Sequence, residues 1–521
     1  MKLNKGLMTG IALAILGGTA AQAENVMRWA GAKDIYSLDP YSYGDSYTIA
    51  FLNHVYEGLV RYNENLEIEP ALATEWEIVS PELWRFKLRE GVKFHDGADF
   101  TADDVLASLA RVSHETSPLR GNLPAYKSAT KIDDHTVEIE LNGPYPLLLN
   151  DLTNIHIFDE GWLKANNSEL PTDVGAQVEG FATFNTNGTG PFSLDSRVPD
   201  SRTVLVKNPE WWDEPRHNLD RIEFSPITSA PTRVAALLSG EIDFVDEAPV
   251  QDLARLSASP GIKVLERANL RTIMMGFNRK EKLADGRDNP FNDLRVRQAF
   301  ELALDRDLIQ TRVMRGKSRS AGTIIAPEIP GYDEALDQFP AADPARAQEL
   351  LKEAGHEGLP FVLTCTTDAY VNEEELCNAM VSMLTRAGFK PTLDIGPQAI
   401  QTPKRSGGLA DVYLIGWANE PMLDSYSILV QMVESRTGTA GVFNWGGWSY
   451  PEVDALIQQA STEMDRDARL ALQTEALKAV KDELILVPLH QQPMAWAMSD
   501  KVDHVTQLAD NKVRHWLTVM K

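Results

Sequence analysis

Residues Trp84 to Val105 read WRFKLREGVKFHDGADFTADDV. Trp84, Phe86 and Leu88 alternate with Arg85 and Lys87, the period-two pattern of a strand with one buried and one solvated face. His95-Asp96-Gly97 follows. Side by side, His95 and Asp96 resemble a charged dyad, but an Asp-Gly turn closing a hairpin explains them more simply. Val137, Ile139 and Leu141 repeat the alternation further on.

Outward from this stretch the spacing turns helical. Asp343 and Pro344 precede Ala347, Leu350, Leu351 and Ala354, and Gly355 closes the run, so cap, first-turn proline, apolar stripe and terminal glycine stand in order. Val296, Ala299, Phe300 and Ala303 repeat that spacing, as do Val453, Leu456, Ile457 and Ala460. These stripes are core faces. The chain is therefore mixed α/β, and its 521 residues exceed one core, which predicts two or three lobes. No Pro-, Gly- or Ser-rich linker divides it, so the lobes are expected to share crossing strands.

At the N-terminus, Lys2 and Lys5 precede the uncharged run Gly6 to Gly18, and Ala21-Gln22-Ala23 follows. That order is a signal peptide cleaved after Ala23, leaving a mature chain from Glu24. The apolar run falls short of the ~20 residues that span a bilayer. No cysteine stands near the cut, which argues against a lipid anchor. Net charge is -25, and losing Lys2 and Lys5 takes it to -27. So acidic a surface repels phosphate backbones and anionic headgroups, making nucleic acid and peripheral membrane poor partners. Cys365 sits in a strand-like stretch and Cys377 in a helical one. They form either a disulfide or two separately buried thiols.

Catalytic signatures are missing. There is no G-x-S-x-G elbow, P-loop, H-E-x-x-H or G-x-G-x-x-G after a strand. Asn185 to Gly190 (NTNGTG) lacks the lysine and helix start of a phosphate cradle. The ten histidines are scattered. With 75 acidic residues some carboxylate pair always exists, but nothing points to catalysis, cofactor or metal.

Several stretches in order resemble the solute-binding proteins of the peptide, nickel and opine importer family. They are Tyr56 to Val60 (YEGLV), Pro70 to Ala73 with Trp76, the opening stretch, Gly188 to Phe192 (GTGPF) and Val206 to Trp212 (VKNPEWW). Later come Gly240 to Asp243, Phe291 to Arg306 and Ala410 to Trp417 (ADVYLIGW). The resemblance runs from about Ser37 to Trp496. It implies a three-lobed periplasmic-binding-protein fold, with two hinged ligand-binding lobes and an extra one. On that basis the chain divides into signal peptide 1–23, lobe I 24–71, extra lobe 72–187, lobe I again 188–270, lobe II 271–490 and a lobe I return 491–521. Many of these motifs hold lobes together and identify the family without marking the pocket.

The pocket expectation rests on Gly416 to Asp424 (GWANEPMLD). The resemblance implies that the Gly416-Trp417 pair ends a strand and that an acid just after it receives the ligand's ammonium. Glu420 stands there, with Asp424 in reserve; relatives more typically carry aspartate, so the longer side chain changes the reach. A solvated loop acid is the alternative. Trp417 and Ala418 would line the wall. Where such relatives place a cation for a peptide carboxylate, this chain has Tyr370 and Leu414. Arg271 or Arg405 then substitutes, or the ligand is an opine, modified peptide or short sugar. Nickel is less favoured, since no histidine lies near Gly416. Tyr43, Gly190, Asn444 and Trp445 complete the candidates. The expected function is a monomeric, non-catalytic periplasmic receptor that captures a short peptide for an inner-membrane ABC permease. An exported hydrolase and a periplasmic chaperone are the readings from other classes.

Overall fold

The computed structural model describes residues 24–42, 45–172 and 179–521; the expected signal peptide and Tyr43 lie outside them. A mixed sheet of eleven strands runs through the molecule. Its first end is Lys390–Gly396, Pro360–Thr366 and Val412–Trp417; its other end is Phe244–Val245, Val26–Gly31, Arg221–Pro226, Arg202–Lys207 and Phe192–Val198. Two long antiparallel strands, Ile262–Phe277 and Leu486–Ser499, join the ends, with short Arg319–Ser320 paired to the second. Sixteen residues of strand reach roughly 50 Å, enough to belong to both halves. Thr272 to Phe277 pair with Val412–Trp417, whereas the opposite part of the pair meets Phe244–Val245. The crossing strands expected from the missing linker are this pair.

Between the halves the register slips. A bulge separates Ala268 from Thr272, opposite Pro493 and Gln491. Proline cannot donate to a ladder, and a bulge interrupts regular pairing, so the ladder between the two ends is broken here.

Each half has its own core. At the first end, helices Leu294–Ala303, Pro344–Glu353 and Glu373–Arg386 bury Val296, Phe300, Leu351 and Met380 against Phe361 and Val412. Asp343 caps its helix by accepting from Arg346 N–H at 2.9 Å. At the other end Ala230–Ser239 and Leu253–Ser257 cover Ala30 and Val245. A third and larger core binds both ends to a separate four-stranded antiparallel sheet. That sheet orders Ala73–Ser80, Leu83–Leu88, Thr136–Leu141 and Tyr126–Asp133, and Trp84 and Phe86 pair with Ile139 and Val137 on its buried face.

The His95-Asp96-Gly97 turn forms. Gly97 has φ +93°, Phe94 N–H donates to Ala98 O at 2.9 Å, and the His95 ring stands 3.0 Å from Gly190 O. Three of the motifs meet on one buried carboxylate. Glu57 accepts from Trp212 Nε1 at 2.7 Å, Thr189 Oγ1 at 2.9 Å and Trp211 Nε1 at 3.2 Å. Burial pushes its carboxyl up to about 7, against those bonds and the Arg61 charge.

Candidate functional site

The segment GWANEPMLD leaves the sheet because its residues cannot continue a strand. Val412–Trp417 ends at the tryptophan; Asn419 takes the left-handed conformation at φ +58°, and Pro421 follows Glu420. Asparagine tolerates that conformation better than most residues. Gly416 is required just before. A Cβ there would stand 2.8 Å from both Ile273 Cδ1 and Tyr370 Cε1. Without one, the Tyr370 ring lies on the strand end and its Oη accepts from Gly416 N–H at 2.8 Å. Trp417 donates from Nε1 to Ser427 Oγ at 3.2 Å and meets Phe443 edge-on at 5.0 Å. Tyr370, Trp417 and Ala418 are half-buried and form the apolar wall.

Tyr370 is held from behind. The buried Glu373 carboxylate accepts from Thr366 N–H at 2.7 Å, Tyr370 N–H at 3.2 Å and Ala369 N–H at 3.3 Å, and from the Thr366 hydroxyl. Cys365 and Cys377 are disulfide-bonded, joining the strand before this loop to the helix after it. Of the two readings open in the sequence, the pair is the one that forms.

Near the wall, Glu420 lies within electrostatic reach of Arg271 and Lys512, and Arg271 of Tyr370. Among the described residues Glu420 makes no hydrogen bond or ion pair through its carboxylate. Burial raises its carboxyl above the usual range; Lys512, Arg271 and Arg514 pull it back and Asp510 adds to the rise. Arg514 is engaged with Asp510 in a double hydrogen bond at 2.6 and 3.0 Å. Among the described residues the Arg271 guanidinium and the Lys512 ammonium have no hydrogen-bond or ion-pair partner. Arg271 projects from the bulge, its N–H bound to Asn269 Oδ1 at 2.7 Å, while Leu270 N–H donates to Ala509 O at 3.0 Å. Arg271 therefore comes from the crossing strands, Lys512 from the C-terminal segment and Glu420 from the first end. Asn419 is fully buried, yet neither atom of its amide has a partner. Such a group is costly to leave unmet in a folded interior.

The family described as bacterial extracellular solute-binding proteins, family 5, middle region, matches residues 67–439. The chain belongs to this family. It is a solute-binding receptor of the ABC-importer class. The glutathione-binding protein GsiB of Shigella boydii serotype 4 is 26% identical over 502 residues, 94% of this chain and 93% of that protein. Among solved structures, NikA from Brucella suis in complex with Fe(III)-EDTA superimposes with a TM-score of 0.82 at 23% identity, covering 96% of this chain and all of that one (100%). The periplasmic binding protein DppA from Helicobacter pylori, in complex with the peptide STSA, gives 0.76 at 24% identity, over 95% and 98%. These likenesses carry the multi-lobed binding-protein fold. No helix among the described residues is long and apolar enough to cross a membrane.

Not every expected pocket residue of this family 5 protein is free to meet a solute. Asp424 is buried and committed to its own loop, accepting from Gln473 Nε2 at 2.8 Å and Tyr426 N–H at 2.9 Å. Arg405 is buried too, donating to Leu414 O at 2.8 Å and Thr402 Oγ1 at 2.9 Å with its guanidinium 5.1 Å from the Trp445 ring centre. Asn444 uses its whole amide on the backbone of Glu434, Trp448 and Gly447. Trp445 packs between Tyr413 and Phe443. The close approach that Gly190 permits is to the Val55 backbone, 2.7 Å from where its Cβ would stand. Sequence reasoning missed Asn419 and Lys512. Asn419 carried a signal, as a polar residue between Ala418 and Glu420; Lys512 carried none, being brought in by the return of the C-terminus.

Proposed function

We propose that this chain, exported and cleaved after Ala23, binds a short peptide-like solute between its lobes in the periplasm and delivers it to an ABC permease. The two ligand-binding lobes pivot across the bulge at Ala268 to Thr272 and Pro493. The observation that carries the reading is the unpartnered Glu420 carboxylate opposite unpartnered Arg271 and Lys512. A half-buried carboxylate pairs strongly with an ammonium, and a guanidinium with a carboxylate. The Asn419 amide adds an NH2 donor group and a carbonyl acceptor, the complement of a peptide group. Trp417 and Tyr370 cover its apolar parts.

One acid against two cations favours a ligand with one ammonium and two carboxylates. Glutathione, which the relative GsiB is named for, has that charge pattern, and so do acidic dipeptides and amino-acid-derived opines. A neutral sugar would leave all three charges unmet, and it is the weaker alternative. Receptor function needs no chemistry on the ligand: differential affinity for the closed form is sufficient.

Thermal melts of the mature protein against glutathione, acidic and neutral di- to tetrapeptides, opines and short sugars test this. A true ligand stabilises by ~3–4 kcal/mol at roughly 100 to 1,000 times its dissociation constant. Glu420→Ala is expected to weaken an ammonium-bearing ligand by about 10- to 100-fold, the value of a charge-assisted bond. A shift with sugars alone would retain the receptor and overturn the peptide reading.

A further inference from the structure

The loop that carries Glu420 also makes a polar contact with elements in the N-terminal half of the chain. Met422, two residues beyond Glu420, presents its carbonyl to the far side, where two side chains from separate elements converge on it. Tyr62, at the end of strand Val60–Tyr62, donates from Oη to Met422 O at 2.7 Å. Asn150, in helix Leu148–Leu152, donates from Nδ2 to the same oxygen at 2.8 Å. The two donors also touch each other, with Asn150 Nδ2 3.3 Å from Tyr62 Oη. A carbonyl oxygen has two lone pairs, so this bracket uses both. Apolar contact flanks it: Leu148 and Leu152 share one continuous core with Leu423 and Tyr426. Behind, Tyr145 lies within electrostatic reach of Asp424 and Tyr426, and Asp151 within reach of Tyr426.

Met422 is part of a short irregular segment, not of a strand or helix. Its position is therefore set by what grips it, and Leu423 N–H, bonded to Asn419 O at 2.7 Å, ties that grip to the candidate anchor. We propose that Tyr62 and Asn150 are positioning residues that latch the lobes through the Met422 carbonyl, so that closure and the placement of Glu420 are one event. A ligand that orders the Asn419 to Met422 turn presents the carbonyl to the bracket, and a formed bracket fixes the carboxylate that meets the ligand. This rests on the lobe-closing receptor reading, but its test does not require the ligand.

The mature protein is labelled with spin probes at Glu90→Cys and Lys352→Cys, both exposed and on opposite sides of the seam; the native cysteines are bonded to each other and do not react. Inter-probe distances are measured by pulsed electron resonance in the parent, in Tyr62→Phe and in Tyr62→Phe with Asn150→Leu. The expected result is a shift toward longer distances, small in the single variant and larger in the double, with melting of the labelled proteins still cooperative. Identical distance distributions in all three would overturn the latch. The single variant keeps the ring and lacks one oxygen, so it stands as the test if the double variant does not fold. Failure of every solute to bind would sink the receptor reading yet leave the distance result intact, and the converse holds for an unchanged distance with a glutathione shift.

Discussion

Asn419 shows how much one residue can say about a site. Its backbone lies at φ +58° and its amide is buried with no partner, two costs that a folded chain rarely combines. If the solute supplies the missing bonds, the costs are met only in the complex. Asn419→Gly keeps the left-handed backbone accessible and removes the amide. The ligand-free protein is then expected to melt within a few degrees of the parent, while affinity for glutathione or whichever solute shifts the parent falls about 10-fold. Calorimetric titration beside ligand-free melts separates the two. An equal loss in both would assign Asn419 to the fold alone. Glu420 was legible through the family resemblance, which implies an acid just after Gly416-Trp417. Asp424, Arg405 and Asn444 are candidates by their polar or charged side chains too, and only their partners in space distinguish them.

At the scale of elements, the loop from Thr366 to Asn372 stands out because it is pinned at both ends. Glu373 gathers its N–H groups and the Cys365–Cys377 bond closes it, so Tyr370 reaches Gly416 in one orientation. Closing a loop of this size stabilises by about 2–4 kcal/mol, chiefly by restricting the unfolded chain. The variant Cys365→Ala with Cys377→Ala is expected to unfold at lower denaturant by that amount, and to bind its solute more weakly than the stability loss alone would cause. Urea titration with and without solute measures both. The two cysteines were visible in the sequence and placed on the right elements, but whether they meet depends on how the strand and helix pack. By contrast the helix after Asp343 and the strands around Trp84 and Ile139 were legible outright. Their caps and periodicities are properties of a few neighbouring residues.

Taken whole, the fold ties distant parts of the chain together in its interior, and the histidines record it. His54 Nδ1 donates to Phe51 O at 2.7 Å, while its Nε2 accepts from His515 N–H at 3.2 Å, an arrangement that needs the neutral ring. The His54 and His515 rings lie 5.6 Å apart, and His217 packs on the same Phe192. Burial pulls His54 down to about 4, against 6.5 when unfolded. Because the folded state binds fewer protons, the contribution is complete above pH 6.5 and is lost as pH falls toward 4. His54 alone should remove about 1 kcal/mol between pH 7.5 and 5.5. Buried acids such as Glu57, pushed up to about 7, act in the opposite direction, so the net slope of the parent does not isolate one group. The difference does: His54→Gln is expected to be less stable at pH 7.5 but to lose about 1 kcal/mol less on acidification, measured by denaturant titration at both pH values. An unchanged difference would mean that His54 is not held neutral.

By itself the sequence determined the class: alternations, caps and turn pairs are local, and the ordered motifs from Tyr56 to Trp417 identify a family whose fold follows. Through the same resemblance it pointed to Glu420 as the acid after Gly416-Trp417, and it offered Arg271 and Arg405 alike as substitute cations. Only the tertiary structure decided which charges are free. Arg405 and Asp424 are engaged by residues on other elements and Arg514 by nearby Asp510, whereas Arg271 and Lys512 are left within electrostatic reach of Glu420. Pairing depends on three-dimensional proximity, and a bulge in a crossing strand and a returning C-terminus bring together side chains that no local pattern relates.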